Sequence, residues 1–146
     1  MSTISLLFTL VGVLLLSQVA VAEPLLKGVT DPQRAAYNWM MKCQGCHQAD
    51  AVGKGGTPNM VGSVAKFLHL DEGRAYLGRV PGVAFVDLPE KEVAELLNWM
   101  VQTFDEKHMP ENFVPYNTEE VKQLKIQPLI SRSFGKRKEL LQLMQE

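Results

Sequence analysis

Both cysteines of this 146-residue chain stand in one stretch of five, Cys43-Gln44-Gly45-Cys46-His47. That placement limits the fold more than any other feature. A disulfide between such close neighbours constrains little of the chain, so no bridge ties distant segments together. Stability must come from apolar burial, or from a group that the cysteines themselves hold. The apolar supply is adequate: 46% of the residues are hydrophobic, which excludes a disordered chain. The length is that of one domain. Fifteen basic and sixteen acidic side chains leave a net charge of −1, without the electrostatic footprint of a nucleic-acid binder. No nucleic-acid partner is expected.

The first 22 residues contain no charged side chain. An apolar run from Ile4 to about Leu16 gives way to Ala20-Val21-Ala22, the small-x-small form of a signal-peptidase site. The expectation is export to the periplasm with cleavage after Ala22, leaving no stable membrane span. An uncleaved anchor is the alternative, but the run is short for a span of about 20 residues.

Downstream the pattern is helical. Asp31 and Pro32 suit the cap and first turn of a helix, and Ala36, Trp39, Met40 and Cys43 follow on one face to about Lys42. Residues 52–63 carry glycines and a proline and read as loop. Short helices are expected around Val64–Leu68 and residues 72–78. A longer one spans Pro89 to Phe104, with the stripe Val93, Leu96, Leu97, Met100, Val101 and Phe104. Residues 105–117 read as loop, and a helix from Thr118 stops at Pro128. No paired strands are indicated. The fold class is all-α with long loops.

Cys43, Cys46 and His47 form the pattern that attaches haem c. Two thiols three apart on a helical turn each add to a haem vinyl group, and the adjacent histidine supplies an axial nitrogen to iron. A zinc site would need two further ligands, for which only His69, His108 and carboxylates remain. A thiol redox pair would want a βαβ setting, which the pattern lacks.

On these residues the chain resembles the class I cytochromes c, over about residues 30–104. The likeness comprises the helix ending in Cys43–His47, the segment from Gly53 to Gly62, and the helix carrying Leu96, Asn98 and Trp99. The resemblance implies a cytochrome c-like fold of several helices around one covalently attached haem. It also implies crossing first and last helices, with Trp99 packed between them. Pro58 matches the proline whose carbonyl contacts the haem histidine.

The family's methionine ligand is missing from its place. Residues 78–85 read Gly-Arg-Val-Pro-Gly-Val-Ala-Phe, without methionine or histidine. The candidates for the sixth iron position are Met60 first, then His69 and Met109, with open or water-bound iron as the other possibility. Met100 reads as core.

The domain organisation expected is a signal peptide (1–22), a cytochrome c domain (23–104) and a C-terminal extension (105–146). Within the extension, Phe113 and Tyr116 suit a segment wrapped over the domain. Lys136-Arg137-Lys138 reads as a solvated helix end or as a dock for an acidic partner or membrane. The function expected is one-electron carriage between a periplasmic dehydrogenase or quinol-oxidising complex and another cytochrome or oxidase, not enzymatic turnover. The alternatives are a haem protein binding a small gas or peroxide, and a haem subunit docked through its extension to a larger dehydrogenase.

Overall fold

Proline at the first helical turn and an aspartate before it start the architecture. In the computed structural model, which describes residues 25–144, α1 (Pro32–Lys42) begins where the Asp31 carboxylate accepts the Arg34 N–H. The expected signal segment lies outside the described residues. Six further helices follow among them: α2 (Gln44–His47), α3 (Asp71–Arg79), α4 (Pro81–Ala84), α5 (Glu90–Phe104), α6 (Thr118–Lys125) and α7 (Ser133–Leu143). Three 3-10 turns punctuate the connections, and the described residues contain no strand. None of these helices is long and apolar enough to cross a membrane.

The α5 stripe is buried as its spacing predicts, from Val93 to Val101. It packs against α1 on one side and α6 on the other. Trp39 of α1 meets Trp99 of α5 at 6.3 Å between ring centroids and Phe104 at 4.7 Å. The aromatic contact expected between first and last family helices is therefore present, widened to three rings.

The inner face of α1 differs from the expected one. Ala35, Asn38 and Trp39 are buried, whereas Met40 is 49% exposed. Asn38 can turn inward because its amide donates to the Glu92 carboxylate at 2.9 Å. A satisfied amide costs little to bury, and the face rotates accordingly.

Two further polar side chains of α5 act as pins. Glu95 is buried and accepts from the Thr30 N–H and hydroxyl, the Asp31 N–H and the Arg34 guanidinium. Burial alone would raise its pKa, but the hydrogen bonds from Thr30 and Arg34 outweigh it and hold the carboxyl below its ordinary value. Asn98 donates to the Gly28 and Tyr116 carbonyls and accepts the Tyr116 N–H. At the end of α5, the buried Asp105 accepts the Ala65 N–H at 2.9 Å.

Residues 105–144 share the core with the rest. Phe113, Tyr116, Val121, Leu129 and Leu140 belong to the same buried cluster as Trp39 and Leu97. Arg74 of α3 grips Glu120 with two hydrogen bonds, donates to the Val114 carbonyl and stacks 4.0 Å over Tyr116. The Leu129 N–H donates to the Arg79 carbonyl at 2.9 Å, and α7 then packs on α3. Of the basic cluster, Lys136 is paired with Glu72 and Glu139.

Candidate functional site

One turn of helix positions the chemistry. The Cys43 N–H closes α1 on the Trp39 carbonyl at 2.9 Å, and the Cys46 and His47 N–H groups then return to the Cys43 carbonyl at 3.2 and 3.0 Å. Cys43, Cys46 and His47 consequently line a single cavity of about 390 Å³, in the range of small-molecule and cofactor sites. Both thiols are free.

The loop after α2 is stitched to His47. The Gly53 N–H donates to the His47 carbonyl at 3.0 Å, and the Met60 N–H donates to that of Ala51 at 2.9 Å. Gly53 has φ +83, and a Cβ there would stand 2.3 Å from the Thr57 carbonyl oxygen and 2.9 Å from that of Pro58. Only glycine lets this loop close so tightly. Pro58 and Met60 thereby line the same cavity as His47.

The electrostatics favour neutral forms. Burial pushes the His47 pKa down, while the nearby Pro58 carbonyl works the other way. His47 Nδ1 is buried and closes no hydrogen bond of ordinary geometry, and Trp39 Nε1 is similarly alone. Burial, with the Cys46 charge second, pushes the Cys43 thiol up to about 11. Among the described residues no group of three or more His, Cys, Asp or Glu side chains is placed to hold a metal ion, which leaves zinc without a ligand set.

The lining also draws on α3, α4 and α7, with Tyr76, Leu77, Val80, Val83 and Phe134 facing the cavity. Met100 of α5 also lines it, so this core residue doubles as cavity lining. Two of the expected iron ligands are elsewhere. His69 donates from Nε2 to the His108 carbonyl at 2.9 Å, and Met109 lines a separate groove with Trp99 and Phe113. Neither lines the cavity. The α7 contribution of Ser133, Phe134 and Arg137 had no signal in the sequence, because it depends on docking across more than 50 residues of separation from α3.

A half-open apolar cavity with two free thiols and a neutral imidazole on one wall fits a flat, largely apolar prosthetic group bonded through sulfur and nitrogen. Comparison with known proteins agrees. No family model matches the chain. A cytochrome c-552 of Thermus thermophilus is 29% identical over 136 residues, covering 80% of this chain and 92% of the relative. A second cytochrome c-552 of the same organism is 30% identical over 119 residues, covering 68% and 91%. A stretch of 80% necessarily includes the cysteine turn, the loop after it and α5. The chain therefore belongs to the c-type cytochromes, whose haem is covalently bound.

Proposed function

We propose that this chain is a periplasmic one-electron carrier holding one haem c through thioethers at Cys43 and Cys46, with His47 as the proximal iron ligand. The observation that carries the reading is the convergence of those three residues on the lining of one cavity. When bound, the haem supplies a one-electron iron couple. The chain's own residues prepare its place. The α1–α2 turn brings both thiols to the cavity, and the Pro58 carbonyl lies near the His47 ring that would bind iron. The aliphatic wall of Leu77, Val80 and Val83 excludes water from the interior face.

Residues 1–22 deliver the chain to the periplasm and are removed after Ala22. Domain 23–104 carries the haem. The partners are a periplasmic dehydrogenase on the donor side and another cytochrome or an oxidase on the acceptor side, met in brief, charge-steered encounters. Folding of the extension onto its own domain favours a self-contained carrier over a subunit whose extension serves as a free docking arm.

Intact-mass analysis of the exported protein tests the reading. The expected mass is that of residues 23–146 plus one haem. Cys43→Ser and Cys46→Ser each leave one thioether, and the double variant retains none after denaturation. A wild-type mass equal to the bare polypeptide refutes it.

A further inference from the structure

The lining of the cavity is charged in one sense only. Lys42 and Arg137 are its basic side chains, and no carboxylate lines it among the described residues. Lys42 is exposed, so its ammonium keeps its water, whereas Arg137 is half-buried. Its neighbour Lys136 is paired with Glu72 and Glu139, but Arg137 has no hydrogen bond or ion pair among the described residues. A half-buried guanidinium against a largely apolar lining gains from an anionic partner.

Tyr76 stands with it. The ring is 7% exposed and stacked on Phe67 at 5.2 Å, and it lines the cavity. Burial raises the pKa of its hydroxyl and the Arg137 charge opposes it, so the guanidinium is a close neighbour of that hydroxyl. Together they offer a fork of N–H donors and an O–H donor, the set that suits a carboxylate. Haem carries its two carboxylates on the edge opposite the two vinyl groups. Thioethers at Cys43 and Cys46 take up the vinyl edge, which makes Lys42, next to Cys43, the less suited cation.

Arg137 belongs to α7, and α7 is thinly held. It buries only Ser133 and Leu140, and its Phe134 lines the cavity yet is 69% exposed. The carboxylates that pair with Lys136 are themselves exposed, at 66% and 58%, and such surface pairs contribute little. A terminal helix fixed this lightly depends on what its inner face meets. We propose that Arg137 pairs with a carboxylate of the bound haem, to which Tyr76 also donates, and that this pairing latches α7 over the cavity. The pairing is ionic and hydrogen-bonded and makes no covalent bond. This inference rests on the haem attachment proposed above.

The test uses the exported holoprotein, with intact mass measured first. A missing haem mass overturns the attachment and this inference together. With haem attached, exchange of the α7 amides with deuterated water is expected to quicken about tenfold or more in Arg137→Gln, the effect of one charge-assisted hydrogen bond. Exchange in α5 should keep its wild-type rate. Tyr76→Phe, which retains the ring, should quicken α7 about fivefold, the effect of one ordinary hydrogen bond. Lys42→Gln should leave α7 unchanged. The midpoint potential should fall in Arg137→Gln, because removing a nearby positive charge favours ferric iron, and return toward wild type in Arg137→Lys. Unchanged α7 exchange in both Arg137→Gln and Tyr76→Phe overturns the latch while leaving attachment intact. Equal quickening in α5, or the same quickening in Lys42→Gln, overturns it too, and an unchanged potential overturns the pairing.

Discussion

Asn98→Ala is the substitution that most directly tests how the extension is held. Asn98 is 1% exposed, and its amide makes three bonds to the backbone. It donates to the Tyr116 carbonyl at 3.0 Å and the Gly28 carbonyl at 3.2 Å, and it accepts the Tyr116 N–H at 2.8 Å. Alanine leaves all three backbone groups without that partner. Each buried group so stranded costs about 1–3 kcal/mol, and the longer, partly buried bond to Gly28 belongs at the low end. Taking all three near the low end, since the freed chain can relax toward water, the sum is about 3–4 kcal/mol, a large part of the roughly 5–15 kcal/mol that stabilises a small domain. With a urea slope of about 2 kcal/mol/M, the midpoint followed by far-UV circular dichroism should fall about 1.5–2 M. Asn98→Asp keeps an acceptor for Tyr116 but turns a carboxylate toward two carbonyl oxygens, so it should rescue nothing. Limited proteolysis should also cut both variants after Phe104 sooner than wild type. A midpoint unchanged in Asn98→Ala, or restored in Asn98→Asp, refutes the reasoning.

Two other outcomes follow from buried contacts. Glu95→Gln replaces an acceptor of five hydrogen bonds, two of them from the Arg34 guanidinium, with a group that must turn a donor toward donors. The expected loss is about 2–3 kcal/mol at neutral pH. Because the folded-state pKa of Glu95 is depressed, its stabilisation is fully present above the ordinary carboxylate pKa and fades as pH falls through the folded value. Urea midpoints of wild type and Glu95→Gln should converge in acid; a gap that widens there contradicts the assignment. Gly53→Ala would bring a methyl group to 2.3 Å from the Thr57 carbonyl oxygen, so the loop must open and draw Pro58 away from His47. The haem content per polypeptide, read by pyridine haemochrome and protein mass, should drop; wild-type content would show that the loop's closure is immaterial to the site.

Local rules made the skeleton of this fold readable. Asp31 and Pro32 start α1, Pro128 follows the end of α6, and the α5 stripe is buried. Cys43, Cys46 and His47 were legible because covalent spacing alone brings them together on one turn. What escaped depends on partners far along the chain. Asn38, Glu95 and Asn98 carry no local signal of burial, yet each is buried because its hydrogen-bond partners arrive from 18 to 70 residues away. His69 and Met109 were plausible iron ligands by residue type, but side-chain chemistry carries no information about which way a loop turns. The wall made by Phe134 and Arg137 had no local signature at all, since α7 reaches the cavity only by docking on α3.

The extension and the stretch before α5 wall the same cavity. In the class I pattern that the sequence resembles, the stretch before the last helix carries the methionine and closes the haem on that side. Here that stretch is the single turn α4, which brings only Pro81, Gly82 and Val83 to the cavity. Such a short connection cannot cover the face of a group as wide as a porphyrin. The chain completes the wall from a distance: Arg74 and Asn98 anchor residues 114–120, Arg79 receives Leu129, and α7 then lays Ser133, Phe134 and Arg137 along the gap. Each anchor is on α3 or α5, the helices that already frame the cavity. A wall built this way adds Ser133, Phe134 and Arg137 to the lining, none of them a methionine or histidine, so the extension covers the cavity without bringing a thioether or imidazole to it.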